Sequence, residues 1–321
     1  MINETLTPNE YAPVVLFVFR RPEHTRRVLE ALSRELEAAR TDVYVYSDAP
    51  RNDKERGAVE AVRKVVSEQW PFRTMVVTCR ETNWGLARNI ISGVTEVVQR
   101  AGRVIVMEDD VVCKPGFLRY MNGALDFYEY KKSVWHVSGW TPPIDSEGLG
   151  DVFLWRVMNC WGWATWADRW RHYKKNPREL VRTWDKAKIR RFNLDGACRR
   201  FCSAWLQVTA NLHGELDTWA IFWYAAIFEQ GGLCVTPSTS LVDNIGLDGS
   251  GENTPSSKKR GHMPETAMPN PKPLNFPGEL AENPLAIQRV KAFFQKQSGS
   301  RLMFAGSRVK HVLLRFYRFL K

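Results

Sequence analysis

Three carboxylates stand side by side at Glu108-Asp109-Asp110, after the apolar run Val104-Ile105-Val106 and before Val111-Val112. A run of that length fits a buried strand, and adjacent acids at its end repel one another and lose solvation. A divalent cation or a polar ligand resolves the conflict. Hard cations such as Mg²⁺ and Mn²⁺ take oxygen ligands, and Mg²⁺ sites commonly join one or two carboxylates to substrate phosphates. In open α/β sheets such ligands bind beyond the carboxyl ends of the strands. The competing reading is a polar turn and an N-cap ahead of the segment after Pro115. Two further acids sit at element ends. Asp48, in Ser47-Asp48-Ala49-Pro50, closes an apolar pattern where a turn or cap is the ordinary role. Asp217, with Glu215 just before it, heads the helical pattern D-T-W-A-I-F-W, again a common cap position.

The elements that must position these residues follow from periodicity. Pro13 to Phe19 is a continuous apolar strand, the mark of a central parallel position. A helix with Val28, Leu29, Leu32 and Leu36 on one face follows it. Further strands are expected at Val43–Tyr46 and Thr74–Thr78, with helices carrying Val59, Val62, Val65 and Val66, then Ile90, Ile91, Val94 and Val97. Strand and helix thus alternate over the first ~110 residues, the pattern of a doubly wound parallel sheet with a nucleotide site at its carboxyl edge. No G-x-G-x-x-G follows the first strand and no P-loop pattern occurs, so phosphates would be met by a metal and by arginines. Pro115 opens a helix through Leu118, Met121, Leu125 and Tyr128, and Val134–Ser138 is a strand ending at Gly139-Trp140. Beyond it Trp155, Trp161, Trp163, Trp166, Trp170 and Trp184 crowd a stretch that reads as a substrate-facing half. Helices are expected around 199–211 and 217–229, and a last short strand at Leu233–Val235. The expected division is 1–138 as the nucleotide-binding half, 139–254 as the substrate-facing half of the same domain, 255–283 as a Pro-rich linker and 284–321 as a basic helical tail.

The chain has 321 residues, 44% of them hydrophobic and 25% charged, ordinary for a globular protein with a sizeable core. Its 13 Trp are unusual; they mark either an aromatic-rich core or faces that pack on sugar rings. A net charge of +11 favours anionic partners. The scattered cysteines form no paired C-x-x-C, which fits free thiols in a reducing compartment. The N-terminus lacks a signal-peptide pattern, and no run approaches the ~18 apolar residues of a spanning helix, so a cytoplasmic location is expected. Residues 301–321 carry six Lys or Arg and no acid, with Val309, Val312, Leu313, Phe316, Tyr317 and Leu320 at helical spacing. Such a helix lies on an anionic membrane or packs on its own domain or a partner.

In order along the chain, V-V-L-F-V-F-R-R, V-Y-S-D, N-W-G-L-A-R-N, V-I-V-M-E-D-D, V-S-G-W, W-G-W-A-T-W, E-L-D-T-W and the 244–253 loop resemble the GT-A glycosyltransferases. The likeness is greatest to the group around N-acetylglucosaminyltransferase I and to bacterial polysaccharide glycosyltransferases, and covers residues 13–253. The resemblance implies a GT-A-like α/β fold and a nucleotide-diphospho-sugar donor. It also implies hexosyl or N-acetylhexosaminyl transfer to a glycan or lipid-linked acceptor. It makes Glu108-Asp109-Asp110 a variant of the D-x-D signature, with Asp110 binding Mn²⁺ or Mg²⁺ and Asp109 and Glu108 facing the ribose and nucleotide. Asp48 would meet the base, with Arg20, Arg88 and Asn89 beside the nucleotide; Asn89 stands where the family's type member has a histidine. Asp217 matches the catalytic base, Glu215 being the reserve, although Leu216 and Thr218 depart from the family's W-D-D-W. Trp140, Trp161 and Trp163 would line the donor-sugar or acceptor pocket. The loop, with Gly246, Gly249 and Gly251 as hinges and Ser250 toward a donor phosphate, would close over the donor.

Two rival readings differ in class. A sugar-phosphate nucleotidyltransferase also uses a parallel sheet and Mg²⁺, but carries a Gly-rich loop after its first strand, where Arg20-Arg21-Pro22-Glu23 stands here. A non-catalytic carbohydrate-binding protein would use the Trp-rich half and need no acidic triplet. Nucleic acid fits the charge alone, since no recognised module is present.

Overall fold

The computed structural model describes residues 11–197, 204–246 and 274–299. Val14–Val18 (β1) is buried at every position, as a strand covered on both faces must be. Pro22, whose fixed φ suits a first turn, opens Pro22–Ser33 (α1). Asp42–Ser47 (β2) precedes Asp53–Val66 (α2), capped by the Asn52 side chain accepting from Lys54 N at 3.1 Å. Thr74–Cys79 (β3) leads to Leu86–Ala101 (α3), and Arg103–Glu108 (β4) ends on the acidic triplet. Val111–Cys113 (β5), Phe117–Tyr128 (α4), Val134–Ser138 (β6), Val152–Trp155 (β7) and Trp163–Trp166 (β8) follow. Short helices Ala167–Trp170 (α5), Pro177–Thr183 (α6) and Lys186–Phe192 (α7) precede Ala204–Leu212 (α8) and Ala220–Glu229 (α9). Leu233–Pro237 (β9), Val242–Asn244 (β10) and Pro284–Gly299 (α10) complete the described elements.

The main sheet runs β3-β2-β1-β4-β8-β6-β9-β7. β1 to β4 are mutually parallel, which brings the ends of β1, β2 and β4 to one edge, while β8 lies antiparallel between β4 and β6. β9 is parallel to β6, and β7 closes the far edge antiparallel to β9. This is an α/β architecture built on a mostly parallel sheet, as the strand–helix alternation predicts. α3 lies close on the sheet because Gly93 leaves room: a Cβ there would meet the Phe17 and Tyr46 rings at 2.9 Å.

In the Trp-rich stretch the aromatic-core alternative holds over the sugar-facing one for the six tryptophans from 155 to 184. Trp155, Trp161, Trp163, Trp166, Trp170 and Trp184 are all buried. W-G-W-A-T-W supplies β8, a central strand, and aromatic side chains suit that position. Trp163 stacks on Trp219 at 5.1 Å and on His136 at 5.4 Å between ring centroids. His136 accepts from Trp223 Nε1 at 3.1 Å and donates to Asn159 O at 2.9 Å, and burial lowers its pKa to about 3, so the imidazole is neutral. Because β8 joins β4 to β6, the halves divided at 138 share one sheet.

The expected linker and tail differ in part. From 274 onward the chain is strapped to the fold: Tyr128 Oη donates to Pro277 O at 2.9 Å and Asn283 N to Leu154 O at 2.7 Å. α10 buries Val290 and Phe294, and Lys291 pairs with Asp195 at 2.6 Å. Residues 255–273 and 301–321 lie outside the described residues. Among those described, no helix is long and apolar enough to cross a membrane.

Candidate active site

The acidic triplet sits where β4 leaves the sheet. Glu108 is the last residue of the strand, in register with Phe17, and is half-buried. Asp109 is buried; its Oδ2 accepts from Phe19 N at 3.3 Å, and its Oδ1 pairs with Arg21. The other arm of Arg21, Nη1, lies 3.1 Å from Asp110 Oδ2. That atom is buried without a hydrogen bond of good geometry. Burial alone would lower the Arg21 pKa, but Asp109 and Asp110 outweigh it, so the guanidinium is held cationic. Burial pushes the Asp109 carboxyl up, against Arg21 and with Asp110.

The segment after β10 reaches this point. β10 pairs antiparallel with β5, and Ile245 N donates to Asp110 O at 2.8 Å. Gly246 then passes so close that a Cβ would lie 2.3 Å from Asp110 Oδ2 and 2.9 Å from Arg21 Nη1. The expected closing loop therefore begins on the acid pair. Ser250, Gly249 and Gly251 lie outside the described residues.

These residues fit a divalent cation held jointly with a ligand's phosphates. Two carboxylates face one guanidinium, which leaves an excess of negative charge around an imperfectly bonded cationic nitrogen. Among the described residues no three His, Cys, Asp or Glu gather into a complete cage. A site of one or two carboxylates, with phosphate oxygens as the remaining ligands, matches that donor set.

Other sequence-nominated residues take different places. Asp48 is buried and its carboxylate is filled by protein donors: Oδ1 by Ala49 N and Trp84 N at 2.9 Å, Oδ2 by Gly85 N at 2.9 Å and Asn83 Nδ2 at 3.1 Å. It fixes the loop before α3, a positioning task, rather than offering a free acceptor to a base. Arg20 turns to Glu55 at 2.8 Å, and Arg21 occupies the acids instead. Asn89 is buried, donating to Gly85 O and accepting from Arg80 Nε at 3.1 Å. Arg88 is exposed and lies 4.0 Å over the Trp84 ring, whose ring Arg80 also approaches at 3.8 Å.

Asp217 does not cap a helix. α9 starts three residues later at Ala220, with no side-chain cap. The Asp217 carboxylate is 76% exposed and pairs with Lys175. Glu215 is exposed on the same approach to α9. Asp217 and Arg88 line one cleft of ≈ 570 Å³ along α3. Trp140 stands edge-on to Trp161 at 4.8 Å and lines a separate apolar cavity with Trp155, Ile221, Tyr224 and Phe294. Trp163 lies in the core and lines neither cavity.

Sequence reasoning passed over Arg21, Lys175 and the contact of Gly246. Arg21 had a signal, being the last residue before the Pro22 that opens α1; Lys175 had none, because its partner is 42 residues away.

No protein-family model matches the chain, and no curated protein matches it. Among solved structures, Staphylococcus aureus TarS is similar at 15% identity and a TM-score of 0.28, over 39% of this chain and 21% of that one. The mannosyltransferase PcManGT from Pyrobaculum calidifontis, in complex with GDP-Man and Mn²⁺, is similar at 15% identity and a TM-score of 0.37, over 69% of this chain and 72% of that one. This chain thus spans about a fifth of the length of TarS.

Proposed function

We propose that this chain is a metal-dependent, inverting glycosyltransferase that moves a hexosyl or N-acetylhexosaminyl group from a nucleotide-diphospho-sugar to a glycan or lipid-linked acceptor. The observation that carries the reading is the Asp109–Asp110–Arg21 cluster at the end of β4, with the Gly246 backbone against it. Asp110 and, with it, Asp109 would hold Mn²⁺ or Mg²⁺, and Arg21 would turn from the acids to the diphosphate. The metal would offset negative charge building on the leaving diphosphate. Asp217 would accept the acceptor hydroxyl's proton as that oxygen bonds the anomeric carbon. The bond from that carbon to the diphosphate oxygen breaks, and its electron pair leaves with the nucleoside diphosphate. Arg88, in the first turn of α3 after the Asp48-fixed loop, would stand beside the nucleotide, and Ser250 would reach a donor phosphate. The closing loop would exclude water and so limit donor hydrolysis. The basic residues of 301–321 would bring the protein to the cytoplasmic face of an anionic membrane.

Incubation with a panel of UDP-, GDP- and dTDP-sugars, with Mn²⁺ and with EDTA, tests this. Release of nucleoside diphosphate that EDTA stops and added Mn²⁺ restores is expected. Pyrophosphate release from a nucleoside triphosphate and a sugar phosphate would instead identify a nucleotidyltransferase. Glycan binding indifferent to EDTA, without turnover, would identify a binding protein.

A further inference from the structure

The cleft between α3 and the Lys175–Asp217 pair has a composition of its own. Ala87 and Ile91 give it an apolar side, while Ser92, Thr95 and Gln99 bring hydroxyl and amide groups. Its charges balance: Arg88 and Lys175 against Glu96 and Asp217. Two of the four are already engaged with each other, Lys175 with Asp217, and Glu96 accepts from Tyr46 Oη at 2.9 Å and pairs with Arg100 at 3.0 Å. An anionic ligand would find no surplus of cations there, and a purely apolar one would strand polar groups. A volume of ≈ 570 Å³ lies within the usual range for small-ligand clefts. The cleft runs from Arg88, in the first turn of α3, to Gln99, in its last. The Arg88 end adjoins Trp84, which Asp48 holds at the carboxyl edge of β2. One end therefore opens beside the proposed nucleotide site, and one wall carries an exposed carboxylate.

We infer that this cleft binds the acceptor, and that the acceptor part it takes is an uncharged saccharide. This deepens the transferase reading and rests on it. Sugar hydroxyls would meet Ser92, Gln99 and Arg88, one face of the ring would lie on Ile91, and Lys175 would fix the Asp217 carboxylate toward the hydroxyl that reacts. Lys175 is then a positioning residue, acting through Asp217.

The test uses the full-length protein with methyl glycosides of glucose, galactose, mannose and N-acetylglucosamine, read by saturation-transfer NMR with Mg²⁺ and UDP or GDP present. At least one glycoside is expected to show transfer. Ser92→Trp and Gln99→Trp, each filling the cleft from the partly open side of α3, are expected to weaken that binding ~10-fold or more. Both should keep the wild-type circular dichroism melt and the rise in melting temperature caused by nucleoside diphosphate with Mg²⁺. Two variants at separate points guard against one failing to fold. No saturation transfer to wild type from any glycoside, or unchanged transfer in both variants while the nucleotide shift persists, overturns the cleft assignment alone. Absence of the nucleotide shift in wild type overturns the transferase reading, and the acceptor role with it.

Discussion

At Gly246 the missing side chain is what lets the backbone pass against the acids. A methyl group placed 2.3 Å from Asp110 Oδ2 cannot be accommodated unless the acid or the backbone moves. Gly246→Ala is therefore expected to leave the melting temperature near wild type but to cut metal-dependent turnover on the order of 10-fold or more, read as nucleoside diphosphate release against Mn²⁺ concentration. Asp217 gives a different signature. Its carboxylate is exposed and held by Lys175, so Asp217→Asn removes a proton acceptor without leaving a buried group unpaired. Turnover should fall by roughly 10²–10⁴-fold with nucleotide binding unchanged in a thermal-shift assay, and near-normal turnover would move the role to Glu215. Glu35 tests electrostatics away from the site. It accepts from Gly116 N at 3.1 Å and Leu118 N at 3.0 Å at the start of α4, yet burial pushes its pKa up to about 7 against those bonds. The folded protein then keeps a proton that the unfolded chain loses near 4.5, so Glu35 contributes less stability as pH rises from 4.5 to 7. Glu35→Gln should flatten that slope in melts across this window; an unaltered slope would show that Glu35 is ionised when folded.

Among the elements, β1 to β4 and the helices between them were legible because each carries one clean period. Val14–Val18 is a run buried on both faces, and α3 buries Ile90, Val94, Val97 and Val98 on one side. β8 was not legible. In W-G-W-A-T-W the large aromatics look like a ligand platform, and only pairing with β4 and β6, from distant sequence, makes them core. α9 was placed too early for a related reason, since Asp217 reads as a cap but its partner, Lys175, is remote. The site divides the same way: the acidic triplet is contiguous and readable, whereas the Asp48 carboxylate is filled by a loop over thirty residues away. Packing of α3 yields a stability prediction at this scale. Gly93→Ala would put a Cβ 2.9 Å from the Phe17 and Tyr46 rings and push the helix off β1 and β2. Urea unfolding should show a loss of about 1–3 kcal/mol, the usual cost of overpacking, outweighing the better helix propensity of Ala.

For the whole molecule, the charge is unevenly placed along the sequence. Six of the 46 Lys and Arg fall in residues 301–321, where no acid offsets them, so a surplus of six from a net +11 is concentrated in that stretch. α10, which precedes it, is anchored by Val290, Phe294 and the Lys291–Asp195 pair, and Arg156 bridges Asp195 at 2.9 Å to Glu282 at 3.1 Å. The proposed membrane attraction and the fold's stability would thus belong to different stretches, and truncation can separate them. Ending the chain at 300 removes the cationic stretch and spares these anchors, so the melting temperature should hold while flotation with vesicles containing anionic lipid is lost. Ending it at 273 also removes Phe276, which packs against Tyr120 and Tyr128, together with all of α10; it should lower the melting temperature or leave the protein insoluble. Screening supplies the internal control. If charge holds the full chain to the vesicles, raising salt from 0.05 to 0.5 M, where the Debye length falls from roughly 14 Å to 4 Å, should release it. Flotation that survives both high salt and loss of 301–321 would place the membrane contact elsewhere on the molecule.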